Sequence, residues 1–125
     1  FRLPASDYMA DVRLAAELID SPLFRPPHGR LTPAQQTALR AAGYRLIMFD
    51  VVTRDYSPRL TLDDVFHNAT HYARNGSLIV FHDSPKAAPR MFDALPRVVT
   101  WLRTAGYTFR RLEAPPPFSP RRQEL

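Results

Sequence analysis

Leu39-Arg-Ala-Ala-Gly-Tyr44 (LRAAGY) and Leu102-Arg-Thr-Ala-Gly-Tyr107 (LRTAGY) are two copies of one short stretch. Each copy has the residues of a helix end, a glycine that can close the helix, and an aromatic residue that can begin a strand. Two copies of one helix-to-strand junction indicate repeating β/α units. The sequence therefore predicts an α/β fold.

Near-continuous apolar runs predict the strands of this fold. The run Tyr44–Val52 follows the first copy, and Ser77–Phe81 is a second run. Such runs are typical of parallel strands that are buried on both faces. Shorter strands are predicted at 23–25 and after Tyr107. The order α-β-α-β-α-β-α-β makes about half of an eight-unit barrel, which needs roughly 250 residues.

Cap residues predict where the four helices begin and end. The first helix is capped by Ser6 and ended by Ser21-Pro22, and the second runs from Thr32-Pro33 to Gly43. The third begins at the capping-box spacing of Thr61 and Asp64 and ends at about Arg74. The fourth spans Ala88–Thr104, with a break or restart near Pro96. On the fourth helix and after it, Phe92, Trp101 and Tyr107 are expected in the core.

The composition is that of one globular domain, with 45% hydrophobic and 23% charged residues among 125. No apolar run reaches about 18 residues, so no membrane span is predicted. The chain begins with Phe1 and has no signal-peptide pattern, and we expect an upstream region that this sequence lacks. We expect the domain at residues 1–113 and a flexible tail, rich in Pro and Arg, at 114–125.

The chain is basic, with 17 Lys+Arg against 12 Asp+Glu and a net charge of +5. Lys86 is the only lysine, and the arginines are scattered along the sequence. Nucleic-acid-binding proteins usually cluster their positive charge on one face or tail, so no nucleic-acid partner is predicted. Cysteine is absent, which excludes disulfides and thiolate metal sites.

Polar residues follow three successive predicted strands. Arg25 ends the first strand, Asp55 follows the second, and His82-Asp83 ends the third. Reactive residues of parallel α/β sheets gather at the carboxyl ends of the strands. An aspartate beside a histidine orients the imidazole for acid–base work. Two interpretations of Asp83 stay open, a partner of His82 and a cap of the next segment.

At these strand ends the sequence resembles the NodB-type polysaccharide deacetylases. Phe24-Arg-Pro-Pro-His-Gly29 is similar to their Arg-x-Pro-Tyr motif, Asp55-Tyr56 to the end of Asp-x-x-Asp-Trp, and Ile79-Val-Phe-His82 to Leu-x-x-His. The resemblance covers about residues 6 to 112. It implies metal-dependent removal of N- or O-acetyl groups from an acetylated carbohydrate, on a distorted (β/α) barrel whose N-terminal half is missing here.

The resemblance also implies roles for individual residues. The roles it carries over are catalytic acid for His82, the carboxylate that tunes this acid for Asp55, the arginine that holds the catalytic base for Arg25, an oxyanion-binding backbone N–H for His28, and apolar walls around the acetyl methyl group for Tyr56 and Ile79.

Three positions depart from the family motifs. His28 stands in place of Tyr, Tyr56 in place of Trp, and Val52 where an Asp is expected. The family binds a divalent metal, usually zinc, through an Asp and two His, in Thr-Phe-Asp-Asp-Gly and His-x-x-x-His motifs that should precede Arg25. Those motifs are absent from this sequence. We therefore expect no metal ligand in this chain, and we expect the isolated 125 residues to be inactive.

His67 and His71 have the i, i+4 spacing of a helical metal pair. The apolar face of the same predicted helix lies mostly elsewhere, at Leu62, Val65 and Phe66. That pattern favours a solvated helix face over a metal site. An alternative for the whole chain also stays open, a truncated and inactive remnant or a carbohydrate-binding module. The glycan, the oligomeric state and the cellular location are not predicted.

Overall fold

The computed structural model describes residues 2–112, which form two compact units. The first unit, residues 2–48 with 111 and 112, contains α1 (Ala5–Ala16), β1 (Leu23–Phe24), a 3-10 turn (Pro27–Gly29), α2 (Pro33–Ala41) and β2 (Arg45–Leu46). The second, residues 49–110, contains β3 (Val51–Val52), α3 (Leu62–His71), β4 (Ile79–Val80) and α4 (Ala88–Thr104). In this part of the chain, no helix has both the length and the apolar character to cross a membrane. The predicted tail at 114–125 lies outside the described residues.

The first unit is built on one parallel strand pair and two helices. β1 pairs with β2, with Phe24 opposite Leu46, and the Ile47 N–H donates to the Phe24 carbonyl at 2.8 Å. The helices cover an apolar cluster of Tyr8, Met9, Val12 and Leu39. This arrangement confirms parallel pairing between the first two predicted strands, although each strand has only two residues.

The start of α2 matches the sequence prediction. Thr32 is the N-cap, and its hydroxyl accepts from the Gln35 N–H while the Gln35 side chain accepts from the Thr32 N–H. Pro33 occupies the first turn, where its missing N–H costs no hydrogen bond. Gln35 is fully buried and its amide also donates to the Leu3 carbonyl at 2.8 Å, which ties the N-terminal segment to α2.

The two copies of the repeated stretch form the same helix end. Gly43 and Gly106 have φ angles of 88° and 93°, in the left-handed region that glycine adopts without steric strain. The Tyr44 N–H donates to the Leu39 carbonyl at 3.0 Å, and the Tyr107 N–H to the Leu102 carbonyl at 2.9 Å. Both ends are therefore Schellman motifs, as the sequence predicts.

Only the first copy leads into a strand. Residues 107–112 contain no strand, so the fourth predicted strand is wrong. Tyr107 instead packs beside the second apolar cluster (Ala69, Val98 and Leu102), and its hydroxyl donates to the Ala73 carbonyl at 3.3 Å. A side chain anchored just beyond the end of α3 thus takes the place of a strand pairing.

The second unit has its own parallel strand pair. β3 pairs with β4, with Val51 opposite Ile79 and Val52 opposite Val80. Beyond the last pair, the hydroxyl of buried Thr53 donates to the Val80 carbonyl at 2.7 Å and extends the contact between the strands. The helices α3 and α4 pack on each other around the second apolar cluster.

The predicted strand Tyr44–Val52 is interrupted. Residues 47–50 lie between β2 and β3 and are not in a strand. The Asp50 carboxylate accepts from the Leu78 N–H at 2.7 Å and from the Ser77 hydroxyl at 3.1 Å. The Asp50 side chain thus accepts from the Leu78 N–H, which a continuous strand pairing would bond to a main-chain carbonyl oxygen. The runs 23–25 and Ser77–Phe81 are likewise shortened, and the barrel stays a prediction.

Two helices also have boundaries that differ from the prediction. Pro4 is the N-cap of α1, so Ser6 lies inside the helix, and α1 ends at Ala16 before Ser21-Pro22. The third helix begins with the predicted capping box at Thr61 but ends at His71. In both cases the sequence placed the element correctly and its end a few residues too far along the chain.

α4 has the predicted bounds and continues through Pro96 without a break. The carbonyl that Pro96 cannot bond belongs to Phe92, which is 70% exposed and can be hydrated. Phe92 and Trp101, at 43% exposure, are therefore not the core residues expected. The buried positions are Ala94, Val98 and Leu102, spaced by four, so the two aromatic residues lie beside that stripe.

Replacing Gly106 with Ala tests the repeated helix end. A Cβ at this position meets open space, so the cost is that of holding a left-handed backbone, about 1 kcal/mol. We expect Gly106→Ala to lower the free energy of unfolding by this amount in urea. Gly106→Asn should lose less, because Asn tolerates the left-handed region. Equal losses in the two variants would contradict this account of the helix end.

Asp50 makes the stability of the second unit sensitive to acid. Desolvation acts to raise its pKa, but hydrogen bonds from the Leu78 N–H and Ser77 and the nearby Arg74 outweigh it and lower the pKa below the ordinary 3.8. The stabilisation is therefore present above pH 3.8 and is lost as the pH falls through the lower folded pKa. Asp50→Asn should flatten the acid limb of the unfolding free energy, measured from neutral pH to about pH 3. Parallel curves would refute this role.

Candidate active site

Asp55 and His82 form a closely bonded pair in the second unit. Asp55 follows β3, and His82 follows β4, so the pairing of these strands brings the two residues to one end. The Asp55 Oδ1 lies 2.7 Å from the His82 Nδ1, and the Asp55 Oδ2 accepts from the His82 backbone N–H at 2.8 Å. Both oxygens of one carboxylate are thus committed to one histidine.

The hydrogen bond to Asp55 decides which ring nitrogen of His82 is available for proton transfer. Asp55 is fully buried, whereas the His82 side chain is 37% exposed. With the Asp55 carboxylate as the acceptor, the His82 Nδ1 is the donor of this hydrogen bond. The Nε2 takes no part in this bond and is the ring nitrogen left to accept or donate a proton.

The turn after β3 directs the Asp55 carboxylate back toward β4. Arg54 has a φ of 58°, a left-handed conformation that is unfavourable for a residue with a Cβ. The Ser57 N–H donates to the Arg54 carbonyl at 2.9 Å, and the Asn68 amide donates to the Thr53 carbonyl at 3.1 Å. These bonds hold the strained residue beside Asp55, and such strain is common at functional sites.

Tyr56 stands against the histidine ring. The ring centroids of Tyr56 and His82 are 4.8 Å apart with an interplanar angle of 84°, an edge-to-face contact. Tyr56 is 41% exposed, so it forms an accessible aromatic wall at the imidazole. The structure therefore brings together three of the six predicted site residues: Asp55, His82 and Tyr56.

The other three predicted site residues lie elsewhere in the two units. Arg25 is exposed and borders a groove of about 200 Å³ in the first unit. His28 is exposed in the 3-10 turn of that unit, with a φ of 56°. Ile79 is half-buried in β4 and packs on the second apolar cluster. That Arg25, His28 and Ile79 act together with His82 stays a prediction.

Asp83 is exposed, and its neighbour Ser84 forms the turn into α4. The Ser84 hydroxyl accepts from the Ala87 N–H at 3.3 Å, and the Ser84 carbonyl accepts from the N–H groups of Ala87 and Ala88 at 3.0 Å. The N-cap of α4 is Ala87, without a side-chain cap, and the hydrogen bonds of the turn that precedes the helix are accepted by Ser84.

The residues described here do not fit the metal that the resemblance implies. Within 2–112, no three His, Asp or Glu side chains lie together in a way that could hold a metal ion. His67 and His71 are exposed, and their rings are stacked, with centroids 4.7 Å apart and planes 21° apart. Parallel rings do not direct their nitrogens at one ion, so the pair remains a solvated face of α3.

Sequence reasoning missed Arg90. Its Nε–H donates to the Asp55 carbonyl at 2.7 Å, and its Nη2 donates to the Lys86 carbonyl at 2.6 Å. A contact between a side chain and the main chain across 35 residues leaves no spacing or motif in the sequence. Thr53 and Arg54 were missed for a similar reason, since their roles depend on local backbone geometry.

The chain is similar to a curated protein and to a solved structure. No family model matches the chain. A bifunctional xylanase/xylan deacetylase from Cellvibrio japonicus is 32% identical over 84 residues, which are 67% of this chain and 12% of that protein. The structure is similar to a family 4 carbohydrate esterase from Streptomyces lividans in complex with acetate, with a TM-score of 0.70 and 22% identity, over 84% of this chain and 55% of that one. The chain thus spans a small part of the curated relative and about half of the solved structure.

Removing the Asp55 carboxylate tests how far the pair holds the second unit together. Asp55→Ala leaves the His82 backbone N–H without its acceptor and should lower the free energy of unfolding by about 2 kcal/mol. Asp83→Ala, at the exposed neighbour of His82, is the matched control and should stay within about 0.5 kcal/mol of the wild type. Equal losses from the two substitutions, measured by urea unfolding, would show that the pair contributes no particular stability.

Proposed function

Because this chain is related to the polysaccharide deacetylases, we propose that it contributes to the hydrolytic removal of acetyl groups from an acetylated carbohydrate. The observation that carries the proposal is the His82–Asp55 pair, with 2.7 Å between the Nδ1 and the Oδ1. The pair leaves the second ring nitrogen of a partly exposed histidine for proton transfer, which is what the leaving group of such a reaction requires.

The proposed role of His82 is to protonate the leaving group. Water adds to the acetyl carbonyl, the C–N or C–O bond to the sugar breaks, and acetate is released. The sugar nitrogen or oxygen takes a proton from the Nε2 of protonated His82, while the Asp55 carboxylate stays on the Nδ1–H and stabilises the imidazolium. The proton lost by the water goes to a base that none of these residues provides.

The remaining site residues receive narrower roles. Tyr56 is a wall for the acetyl methyl group, supported by its edge-to-face contact with the His82 ring. The backbone N–H of His28 binds the developing oxyanion, a role that the resemblance to the NodB-type deacetylases implies. Arg25 orients the base, and Ile79 lines the acetyl pocket. The domain of residues 1–113 then forms part of a (β/α) barrel.

None of the site residues named above is proposed as a metal ligand. The family's divalent metal, usually zinc, finds no ligand set within 2–112. We therefore propose that its ligands come from polypeptide other than the described segment. The 125 residues alone should bind zinc weakly and release no acetate.

Acetate release from acetylated xylan and from acetylated chitin oligomers tests this function. The polypeptide as its gene encodes it should release acetate from at least one of them. His82→Gln should lower kcat by about 10² to 10⁴, because Gln keeps a polar side chain but cannot transfer a proton. His71→Gln, at an exposed histidine of α3, is the matched control and should retain full activity.

Two results would overturn the proposal. One is retention of activity by His82→Gln. The other is no acetate release by the wild-type polypeptide, with binding of the same oligomers in titration calorimetry; this would favour a carbohydrate-binding or remnant role.

A further inference from the structure

Arg90 lies in the first turn of α4 and joins three segments of the second unit. Its Nε–H donates to the Asp55 carbonyl at 2.7 Å, and its Nη2 donates to the Lys86 carbonyl at 2.6 Å. One segment is the turn after β3, the second is the loop that carries His82, and the third is α4 itself. Both of these hydrogen bonds are accepted by main-chain carbonyl oxygens.

The bond to Asp55 fixes the backbone from which the carboxylate projects. Asp55 is fully buried, so its carbonyl cannot bind bulk water and needs a donor from the protein. A guanidinium donor makes this a charge-assisted hydrogen bond, which is stronger than one between neutral groups. Because both carboxylate oxygens are already committed to His82, any shift of the Asp55 backbone moves the acceptor away from the imidazole.

The bond to Lys86 fixes the other partner of the pair. Lys86 lies in the short loop between His82 and α4, and Ser84 in the same loop accepts the N–H groups at the start of the helix. With its carbonyl held by Arg90, this loop is fixed at both ends. The planar guanidinium of Arg90 thus holds both the backbone of Asp55, whose carboxylate accepts the Nδ1 hydrogen bond, and the loop that carries His82.

We infer that Arg90 is a positioning residue for proton transfer by His82. The inference rests on the proposed function. Arg90 donates to the Asp55 and Lys86 carbonyls, and the proposed reaction gives it no contact with the substrate. Its contribution is to hold the Asp55 carboxylate and the loop of His82 at the separation at which the Nδ1–H bond forms.

A purely structural role predicts a different outcome. An arginine that only fastens α4 to its neighbours would change stability and leave the histidine ring as it is. Arg97 has that kind of role: it lies on the same helix, its Nη1 is 3.2 Å from the Asp63 Oδ1, and its guanidinium carbon is 4.9 Å from the centre of the Phe66 ring. Arg97→Met is therefore the matched control for Arg90→Met.

Acetate release by the polypeptide as its gene encodes it gives the first readout. Arg90→Met should lower kcat by roughly 10- to 100-fold with KM within about twofold, because small displacements of a proton donor are costly and Arg90 does not bind substrate. Arg90→Lys should recover part of kcat by donating to one of the two carbonyls. Arg97→Met should keep the wild-type kcat. Equal kcat values for Arg90→Met and Arg97→Met would overturn the inference while leaving the proposed function intact.

Nitrogen NMR of the His82 ring in the 125-residue protein gives the second readout and needs no activity. The Nδ1–H signal should be present in the wild type and in Arg97→Met, and weakened or lost in Arg90→Met. If the wild type releases no acetate, the proposed function fails, and this readout still decides whether Arg90 holds the pair. An unchanged ring signal in Arg90→Met would overturn the inference. If Arg90→Met does not fold, Arg90→Lys is compared with Arg97→Lys by the same signal.

Discussion

The burial of one ionised carboxylate is the constraint on which the second unit depends. Asp55 is fully inside the protein, where an unpaired charge is costly. Its two oxygens are satisfied by the ring and the backbone of one residue, His82. The register of β3 on β4, with Val51 opposite Ile79 and Val52 opposite Val80, brings Asp55 and His82 to the same end of the strand pair. The Nε2 lies outside these bonds, which is the basis of the role proposed for His82.

Helix ends could be predicted from the sequence, because they depend on nearest neighbours. The repeated stretch placed Gly43 and Gly106 at left-handed positions, and Thr32 and Thr61 are caps as expected. Strand lengths could not, because an apolar run shows that a segment is buried and does not show which donors pair. Asp50 interrupts the longest run by accepting the Leu78 N–H. Residues 107–112 form no strand, and the Tyr107 hydroxyl donates to the Ala73 carbonyl instead.

The residues of the candidate site likewise include some that the sequence could predict and some that it could not. His82 and Asp55 follow apolar runs and match a family motif, so residue type and position were sufficient to find them. Arg90 binds main-chain carbonyls, and any helical arginine has the same appearance in a sequence. The strain at Arg54 is equally invisible, since a positive φ is expected of glycine or asparagine. The chain is similar to a bifunctional xylanase/xylan deacetylase and to a family 4 carbohydrate esterase over part of their lengths.

The central claim is that His82 is held by Asp55 through a protonated Nδ1, with the Nε2 left for proton transfer. Joint neutron and X-ray diffraction from a deuterated crystal at neutral pH tests this claim most directly. The account predicts a deuteron on the Nδ1, between that nitrogen and the Asp55 Oδ1, at the 2.7 Å separation found here. A ring turned away from Asp55, or a deuteron on the Nε2 with none on the Nδ1, would contradict it.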